Sequence, residues 1–368
     1  MTAPAYRVQV FAMGASFGIG SLIAELENVK NIGWSDHLND VPEAFFTVNQ
    51  EDPKIALLRG YQGKAHVRII RNDDVVWAGK FGHEFDAKAD DVIFTAYGYL
   101  AHTYSLLSEW NKTYTAASMG TIISDAWTRA KTGIANSPLA FVTTGTIETP
   151  VTTSGGATGI TLPRYQEFYK RLLFVFREMA TIATSDTTNT VVYEITHSAT
   201  PTFNYWKNRG VQKPNVQWEF GDGYVRDFKV YGYPIYHRND LLTVGAAANN
   251  TTLRYEASDA TDITNWGAHQ EPVYFSWIRD ATELQRVAKL RLAVGVREQA
   301  DVSLTFFANT VLPPGATGAG FRLSDQVKVK IDRGFTNINS YQLAVGVRVL
   351  YVNGNEHVRV ELQTPSGS

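Results

Sequence analysis

Alternation of apolar and polar side chains restricts the fold of this chain more than any other feature. It has a period of two residues and runs through four segments, at 6–11, 65–69, 327–331 and 358–362. A strand with this pattern buries one face, as strands of antiparallel sheets do, whereas buried parallel strands are apolar throughout. The sequence therefore predicts a mainly β protein built from antiparallel sheets.

Turn residues lie where such strands must reverse. Asn-Asp-Asp at 72–74 precedes the apolar segment 75–77, and Asn-Gly-Asn at 353–355 separates 349–351 from the last strand. Asn, Asp and Gly tolerate the left-handed backbone of tight hairpins. Both segments are therefore predicted to be hairpin turns.

Three segments have helical spacing instead. Apolar residues share one helical face in 122–130 and in 168–182, and the second helix is predicted to begin after Pro163. A third helix is predicted at 281–293, where Thr-Glu-Leu-Gln forms a capping box. Segments 143–159 and 315–320, rich in glycine and small residues, are predicted to be loops.

The chain also resembles itself. A strand, a turn, a long hairpin strand, a charged turn and another strand occur in this order at 66–96 and again at 327–362. Antiparallel meanders commonly look alike by chance, so the order fits either a duplication or a coincidence. If it is a duplication, two similar barrels flank a different middle region.

Composition removes several classes of function. The 368 residues suggest two or three domains, and 44% apolar residues allow large cores. The absence of cysteine excludes disulfides, thiolate metal sites, cysteine nucleophiles and iron–sulfur clusters. A net charge of −2 exerts no general attraction on nucleic acid or anionic membranes. Charged residues are only 19%, which favours extensive contact with partner subunits.

No apolar segment reaches the ~18–20 residues of a membrane helix. Residues 8–24 follow Arg7 without a charge and loosely resemble a secretory signal. Glycine and polar residues interrupt this segment, and no small-x-small cleavage site follows it. We therefore expect a mature, intracellularly made protein without membrane insertion.

The sharpest enzymatic candidate is Ser16. It lies in Gly-Ala-Ser-Phe-Gly at 14–18, which matches the nucleophile elbow of α/β-hydrolases. Those enzymes build several parallel strands before the nucleophile, whereas the few residues before Ser16 leave no room for them. The glycines are therefore interpreted as positions where the backbone turns tightly or passes near a neighbouring subunit.

Other site patterns are incomplete. Gly18-Ile19-Gly20 lacks the third glycine of a dinucleotide-binding loop, and no Gly-Lys-Ser/Thr closes a phosphate loop. The eight histidines include no helical pair four residues apart and no His-Glu-x-x-His. They are at positions 37, 66, 83, 102, 197, 237, 269 and 357. We predict no catalytic, cofactor-binding or metal site, and no enzymatic activity.

Two groups of carboxylates are weaker candidates. Asp222, Asp227 and Asp240 could pair as acids across a cleft, but carboxylates in antiparallel proteins more often lie in turns and rims. Asp259 and Asp262 could bind calcium, but they lack the spacing of a calcium-binding loop.

Aromatic residues are dense at 205–236, where they alternate with Lys and Arg. This arrangement could stack sugars or bases. Aromatic residues are more typical of strands and subunit interfaces. The residues concerned are Tyr205, Trp206, Trp218, Phe220, Tyr224, Phe228, Tyr231, Tyr233 and Tyr236.

The order of short segments resembles that of bacteriophage tail hub proteins. Gly-Trp-Ser-Asp-His-Leu-Asn at 33–39 leads through Ala-Phe-Phe-Thr-Val at 44–48 to Asp-Pro at 52–53. Asp-Asp-Val-Val-Trp-Ala-Gly follows at 73–79, and Val-Ile-Phe-Thr-Ala-Tyr-Gly-Tyr-Leu follows at 92–100. Each segment is similar to one of the family's strands in the first tube barrel.

The resemblance continues into the second half of the chain. Segments 210–228 and 239–245 look like the start of the family's second tube barrel, and the helix at 281–293 keeps the order. The resemblance thus spans nearly the whole chain, through short segments and without a catalytic motif.

The resemblance implies two tube-like antiparallel β-barrels with an inserted α+β side domain that contains helices. The first barrel corresponds to 1–108 and the side domain to 109–206, which part of 246–274 could complete. The second barrel corresponds to 207–245 together with 275–365.

A function is implied as well. Three copies of a tail hub form a ring at the distal end of the tail tube, adapt its sixfold symmetry to a threefold tip, and leave a channel for DNA. The implied partners are a homotrimer, the tail-tube or distal tail protein, the tape-measure protein, and tail-fibre or tip proteins. The implied location is the tail tip of the virion, after assembly in the host cytoplasm, and no cofactor is implied.

Two details refine this expectation. No sequence-specific nucleic-acid motif is present, in agreement with DNA that only passes through the lumen. No lysozyme- or peptidase-like extension follows Pro365, unlike hubs that carry a lysin. The alternative is a carbohydrate- or receptor-binding β protein of a tail tip or cell surface, with 205–236 as its platform.

Overall fold

Strands dominate the computed structural model, with 53% of residues against 19% in helices. This confirms the predicted fold class, a mainly β protein with helices in an insert. The structure describes residues 4–365 apart from 28, 89, 109–111, 149–160, 168–169, 185–190, 208, 232–237, 249–250, 276–277, 279, 297–300 and 335.

Seven strands form a unit that we call the first module. They are β1 (Tyr6–Met13), β2 (Ile19–Leu26), β3 (Asn31–His37), β4 (Glu43–Asn49), β5 (Ala65–Arg71), β6 (Asp74–Ala87) and β7 (Asp91–Gly98). Helix α1 (Ile55–Tyr61) follows β4, and helix α2 (His102–Ser105) follows β7. The strand order is β3-β4-β7-β6-β5-β1-β2, with every pair antiparallel.

A side region follows, with two small sheets and two helices. Its elements are β8 (Lys112–Ser118), α3 (Met119–Thr128), β9 (Thr143–Ile147), β10 (Thr161–Glu167), α4 (Leu172–Thr184), β11 (Val191–Ile195) and β12 (Thr202–Lys207). Strands β8 and β10 pair antiparallel, and β12 pairs with β11 and, in parallel, with β9.

Two sequence predictions fail in this region because strand pairing overrides local composition. The helix expected to begin after Pro163 begins at Leu172, since 161–167 pairs with β8 as a strand. The first part of the predicted loop 143–159 is strand β9, since it pairs with β12. The rest of that loop, 149–160, lies outside the described residues.

The remaining chain holds two units. Its elements are β13 (Gln212–Glu219), β14 (Val225–Tyr231), β15 (Asp240–Ala248), β16 (Thr251–Ser258), α5 (Ala260–Trp266), β17 (Gln270–Phe275), α6 (Ala281–Val296), β18 (Asp301–Phe306), β19 (Gln326–Arg333), β20 (Thr336–Val352) and β21 (Asn355–Gln363). The second module consists of β13, β14 and β18 to β21, in the order β14-β18-β21-β20-β19-β13. All its pairs are antiparallel except β13 with β19, which is parallel.

Strands β15, β16 and β17 form a separate sheet with α6 packed against β15 and β16. The described residues of 240–245 and 275–296, assigned above to the second barrel, therefore lie in this separate unit. The boundaries of the predicted domains stay a prediction.

Buried side chains form two clusters. One is shared by the two modules, and the aromatic rings of Phe46, Phe81 and Phe94 meet in it at 5.4 to 5.9 Å. The other joins the side region to the end of the first module, and Ile278 and Leu284 of the separate sheet unit belong to it as well. Among the described helices, none is long and apolar enough to span a bilayer.

Candidate functional site

The two modules form one sheet because β20 pairs with β3. The register places Gly346 opposite His37, and Val352 opposite Asn31. The first half of β20 pairs with β19 and the second half pairs with β3. Both partners lie on the same edge of β20, because β21 occupies its opposite edge. This seam makes a continuous path of eight antiparallel strands, β14-β18-β21-β20-β3-β4-β7-β6.

The modules repeat the same topology. The order β3-β4-β7-β6-β5 in the first module corresponds to β14-β18-β21-β20-β19 in the second, and all of these neighbours are antiparallel. By this correspondence β6 is equivalent to β20, and β14 is equivalent to β3. The self-resemblance noted in the sequence is thus present in the strand order.

The correspondence leaves one strand edge in each module without its counterpart. The second half of β20 pairs with β3, but in the equivalent part of β6 the described pairs, from Phe85 to Ala87, are with β7 alone, and His83 and Glu84 lie in the register shift that precedes them. Strand β14 pairs with β18 and otherwise makes a single bridge, from Val225 to Phe220. The eight-stranded path therefore ends in two free edges.

The free edges differ in charge. Glu84 and Asp86 are exposed on the β6 edge, whereas Arg226 and Lys229 are exposed on the β14 edge, with Asp227 between them. The eight strands alternate in direction, so the first and the last run antiparallel to each other. The two edges are thus complementary in direction and largely complementary in charge.

The face of the eight strands that points away from the core is polar and mixed in charge. Arg359 belongs to it and donates hydrogen bonds to Ser303 Oγ and Tyr231 Oη, each at 2.6 Å. Basic and acidic side chains are nearly balanced on this face. Those in the described strands are Lys80, Lys229, Arg348 and Arg359, with Glu43, Asp86, Asp91, Asp227 and Glu361.

A groove of about 400 Å³ crosses this face at the seam. It lies over Gly33, whose lack of a side chain lets the Phe45 ring lean across β3, because a Cβ at Gly33 would overlap that ring. Leu350 borders the groove from β20 and is 37% exposed. The seam therefore leaves an apolar depression on an otherwise polar face.

A buried ion pair ties the modules together. The Glu356 carboxylate, fully buried in β21, accepts hydrogen bonds from Arg71 Nε at 2.7 Å and from Tyr6 Oη at 2.5 Å. Burial, together with the Glu356 carboxylate, raises the pKa of the Tyr6 phenol, so Tyr6 stays protonated and donates. Sequence reasoning missed this contact because no local pattern links residues so far apart.

Ser16 does not have a catalytic environment. It is exposed in a 3₁₀ turn, and both Ser16 and Phe17 have positive φ, at 52° and 61°. The nearby imidazole of His66 uses Nε2 to donate to the Phe17 carbonyl oxygen at 3.0 Å, so that proton is held by the backbone. The Gly14 N–H donates to the Gly18 carbonyl oxygen at 2.7 Å and closes a tight turn, which agrees with the first of the two roles predicted for these glycines.

The three aspartates proposed as an acid pair are not brought together. Asp222 accepts a hydrogen bond from the Tyr224 N–H in the turn before β14, and Asp227 lies on β14. Asp240 lies in the separate sheet and accepts from Gln270 Nε2 at 2.6 Å. Each carboxylate thus has its own local environment.

The two aspartates considered as calcium ligands, Asp259 and Asp262, accept hydrogen bonds from the backbone and from a side chain instead. Asp259 caps α5 by accepting from the backbone N–H groups of Thr261 and Asp262, at 3.0 and 2.9 Å. Asp262 accepts from Asn239 Nδ2 at 2.8 Å. Within the described ranges, no group of three or more His, Asp or Glu side chains could hold a metal ion.

The aromatic residues at 205–236 do not form one platform. Trp218 is buried, with its ring edge-on to Phe306 and Phe321 at 5.0 Å, and Tyr205 is buried in the other core. The Arg209 guanidinium covers the Trp206 ring at 4.2 Å. Tyr233 and Tyr236 lie outside the described residues. The burial of Trp218 and Tyr205 in different cores agrees with a structural use of these rings.

Comparison with known proteins identifies the fold. No protein-family model matches this chain, and no curated protein sequence matches it. Among solved structures, the tail protein from Neisseria meningitidis MC58 is similar over 98% of this chain and 97% of its own, with a TM-score of 0.60 and 12% identity. The 43 kDa tail protein of prophage MuSo2 from Shewanella oneidensis is similar over 98% of both chains, with a TM-score of 0.62 and 8% identity.

A third similar structure is prophage tail protein gp18 from Listeria monocytogenes EGD-e. It covers 98% of this chain and 95% of its own, with a TM-score of 0.54 and 10% identity. The chain therefore has the fold of prophage tail proteins, which confirms, at the level of the fold, the resemblance to tail hub proteins.

Proposed function

We propose that this protein is a structural, non-enzymatic hub at the distal end of a phage tail. Three copies form a ring whose six modules match a sixfold tail tube on one side and a threefold tip on the other. The shared fold with prophage tail proteins supports a role in the tail. The helix-capping and turn contacts of the acidic candidates, and the exposed turn at Ser16, support a structural role.

The seam between β20 and β3 carries this proposal. If the same contact joins equivalent strands of neighbouring copies, the edge of β6 from His83 to Ala87 pairs with β14 of the next copy. The two strands then run antiparallel, and acidic Glu84 and Asp86 face basic Arg226 and Lys229. Such head-to-tail contacts close a ring and cover both free edges, which would otherwise promote aggregation.

Six equivalent module contacts result, three within chains and three between them. Three copies of the eight-stranded path contribute 24 strands to the ring. The polar face then lines a channel, and its balanced charges suit DNA that slides without being held. The ends of the ring would dock the tail-tube or distal tail protein, the tape-measure protein, and fibre or tip proteins. The location is the virion tail tip, after assembly in the host cytoplasm.

The domain division follows the same proposal. Residues 1–108 supply the first barrel of each chain, and the side domain begins at 109. Strand pairing favours a second barrel made of 207–239 and 301–365, because β15 to β17 and α6 form their own unit. That unit shares a core with the side region, which supports its assignment to the side domain.

Light scattering and electron microscopy test the ring. We expect a particle of about 120 kDa, three times 40.9 kDa, that appears as a ring with a central channel. A protein that stays monomeric across micromolar concentrations, and that no tail-tip partner assembles, would contradict the proposal.

Charge reversal tests which strands close the ring. Glu84→Lys with Asp86→Lys should dissociate it, because the β6 edge then becomes basic and repels the basic β14 edge. Arg226→Glu with Lys229→Glu should do the same, and combining all four substitutions should restore the ring.

A matched control is Glu256→Lys, on an exposed position of the separate sheet, which should leave the ring intact. A trimeric wild type that neither double variant dissociates would show that other strands form the contact.

A further inference from the structure

Two buried histidines lie where the first module meets the side region. His66 is on β5 and is 0% exposed, and His102 is on α2 and is 5% exposed. The Tyr99 ring lies between them, with centroids 5.6 Å from His66 and 6.5 Å from His102. From the side region, Phe141 packs edge-on against His66 at 5.1 Å and against Tyr99 at 5.3 Å. These rings form one of the contacts between module and side region, which we call the joint. Others are made by Asn39 with Tyr193 and by His197 with Ala78.

Hydrogen bonding at the joint suits neutral imidazoles. His66 Nε2 donates to the Phe17 carbonyl, so in the neutral ring Nδ1 carries a lone pair, and Nδ1 is buried without a partner. A second proton would place an N–H at Nδ1 with no acceptor. His102 Nε2 is likewise buried and has no hydrogen-bond partner. Protonating either ring therefore costs free energy, and no hydrogen bond at these buried nitrogens compensates for it.

The charged groups that act most strongly on these rings are cations. Lys80 on β6 acts on both histidines, and Arg68 on β5 acts on His66. The turn that precedes β2 contributes only backbone carbonyls, and Tyr99 contributes a phenol that burial keeps neutral by raising its pKa. Burial, reinforced by the cations, lowers the pKa of His66 and lowers that of His102 to about 3.

A third histidine, which is partly buried, shows the opposite arrangement. His197 stacks on Trp77 at 5.6 Å, and its Nε2 lies 3.5 Å from the Asp36 carboxylate. Burial alone would lower its pKa, but Asp36, the Ala78 carbonyl and the Glu194 carboxylate together outweigh burial and raise it. His197 therefore accepts a proton within the folded structure and serves as an internal control.

We propose that the joint is an acid-sensitive latch, in which protonation of His66 and His102 opens the packing of Phe141 and α2 on β5, while the contacts of His197 with Asp36 and Ala78 stay in place. The eight-stranded sheet stays paired, because its seam and its buried ion pair do not involve these rings. The inference depends on the joint alone and is independent of the ring proposed above.

The direction of the pH effect follows from proton linkage. The pKa of each histidine is lower in the closed joint than in the open one, where it has the ordinary value of about 6.5. Closure is therefore fully favoured above about pH 6.5 and weakens as the pH falls towards the closed-state pKa. At pH 5 an open imidazole is about thirty-fold more often charged than neutral, so His102, with a closed-state pKa of about 3, shifts the equilibrium about thirty-fold towards opening, and His66 adds a shift in the same direction.

Hydrogen exchange, corrected for the intrinsic effect of pH, measures the opening. Between pH 7 and pH 5, amides at 99–105 and 137–142 should lose protection at least about tenfold, while amides of β20 and β21 keep theirs. Unchanged protection at 99–105, or equal loss in β20 and β21, would overturn the proposal.

Three variants separate the latch from general acid effects. His66→Gln keeps a donor for the Phe17 carbonyl, and His102→Leu keeps an apolar contact. His102→Leu should remove about thirty-fold of the acid response and His66→Gln a further part of it, whereas His197→Gln should leave it unchanged. A full response in the variant that combines His66→Gln with His102→Leu would refute the latch.

Imidazole proton resonances of the wild type provide a test that needs no variant. Signals of closed His66 and His102 should not titrate near pH 6.5, whereas ordinary titration at that pH would refute the latch.

Discussion

The buried carboxylate of Glu356 offers a quantitative test of how the two modules are held together. Glu356→Gln keeps the size of the side chain and removes its charge. The Arg71 guanidinium, whose side chain is 9% exposed, then loses its counter-ion, and Tyr6 loses a charged acceptor. Removing one partner of a buried ion pair costs about 3–5 kcal/mol, because the other charge stays buried without compensation. We expect a loss of stability in this range.

Urea unfolding followed by far-ultraviolet circular dichroism measures this loss. With an m-value of about 3 kcal/mol/M, the midpoint should fall by about 1 M or more. The matched control is Glu361→Gln on the same strand. Its carboxylate is 36% exposed and lies 3.6 Å from His37 and 3.8 Å from Arg359. Exposed pairs contribute about 0–1 kcal/mol, so the midpoint of this control should move little.

Two results would refute the reasoning. One is a midpoint for Glu356→Gln equal to that of Glu361→Gln, which would mean that the buried pair does not stabilise the sheet. The other concerns Arg71→Met combined with Glu356→Leu, which leaves neither charge buried and should recover much of the loss. A double variant as unstable as the sum of its single changes would assign the loss to packing.

Two further predictions use the same unfolding assay or local exchange. Gly79→Ala should lower the midpoint by an amount corresponding to about 1–3 kcal/mol, because a Cβ there would overlap the Tyr97 carbonyl oxygen. Gly60→Ala, in α1 with no atom within 4 Å of the new Cβ, should raise stability by about 0.5–1 kcal/mol. The reverse order of the two stabilities would contradict the geometry. Asp259→Ala should cost about 0.5–2 kcal/mol and speed amide exchange in α5, because the helix loses its N-cap; unchanged exchange would show that the cap is dispensable.

Strands that bury one face could be recognised from the sequence. Tyr6, Val8 and Val10 are buried in β1, and Val327, Val329 and Ile331 are buried in β19, as the alternation predicts. The hairpin turns predicted at 72–74 and 353–355 are also confirmed, with positive φ at Asn72, Asp73 and Asn353. These features follow from neighbouring residues alone, because burial on one side of a strand repeats every second residue.

Partners distant in sequence could not be recognised. Glu356 and Arg71 are 285 residues apart, and Glu356 lies on a strand whose alternation says nothing about an ion pair. His66 occupies a position of β5 that alternation assigns to the polar face, but Phe141 and the turn that holds Phe17 cover it. Burial by another part of the chain thus overrode the local pattern at these positions.

The sequence by itself determined that the alternating segments become strands, which face of β1 and of β19 is apolar, and the order of segments that resembles tail hub proteins. Only the tertiary structure decided that β20 joins β3, that β6 and β14 keep free edges, and that two histidines are enclosed at the joint. The physical reason is that alternation records burial along one strand, whereas strand pairing and polar burial depend on segments that meet only after the chain has folded.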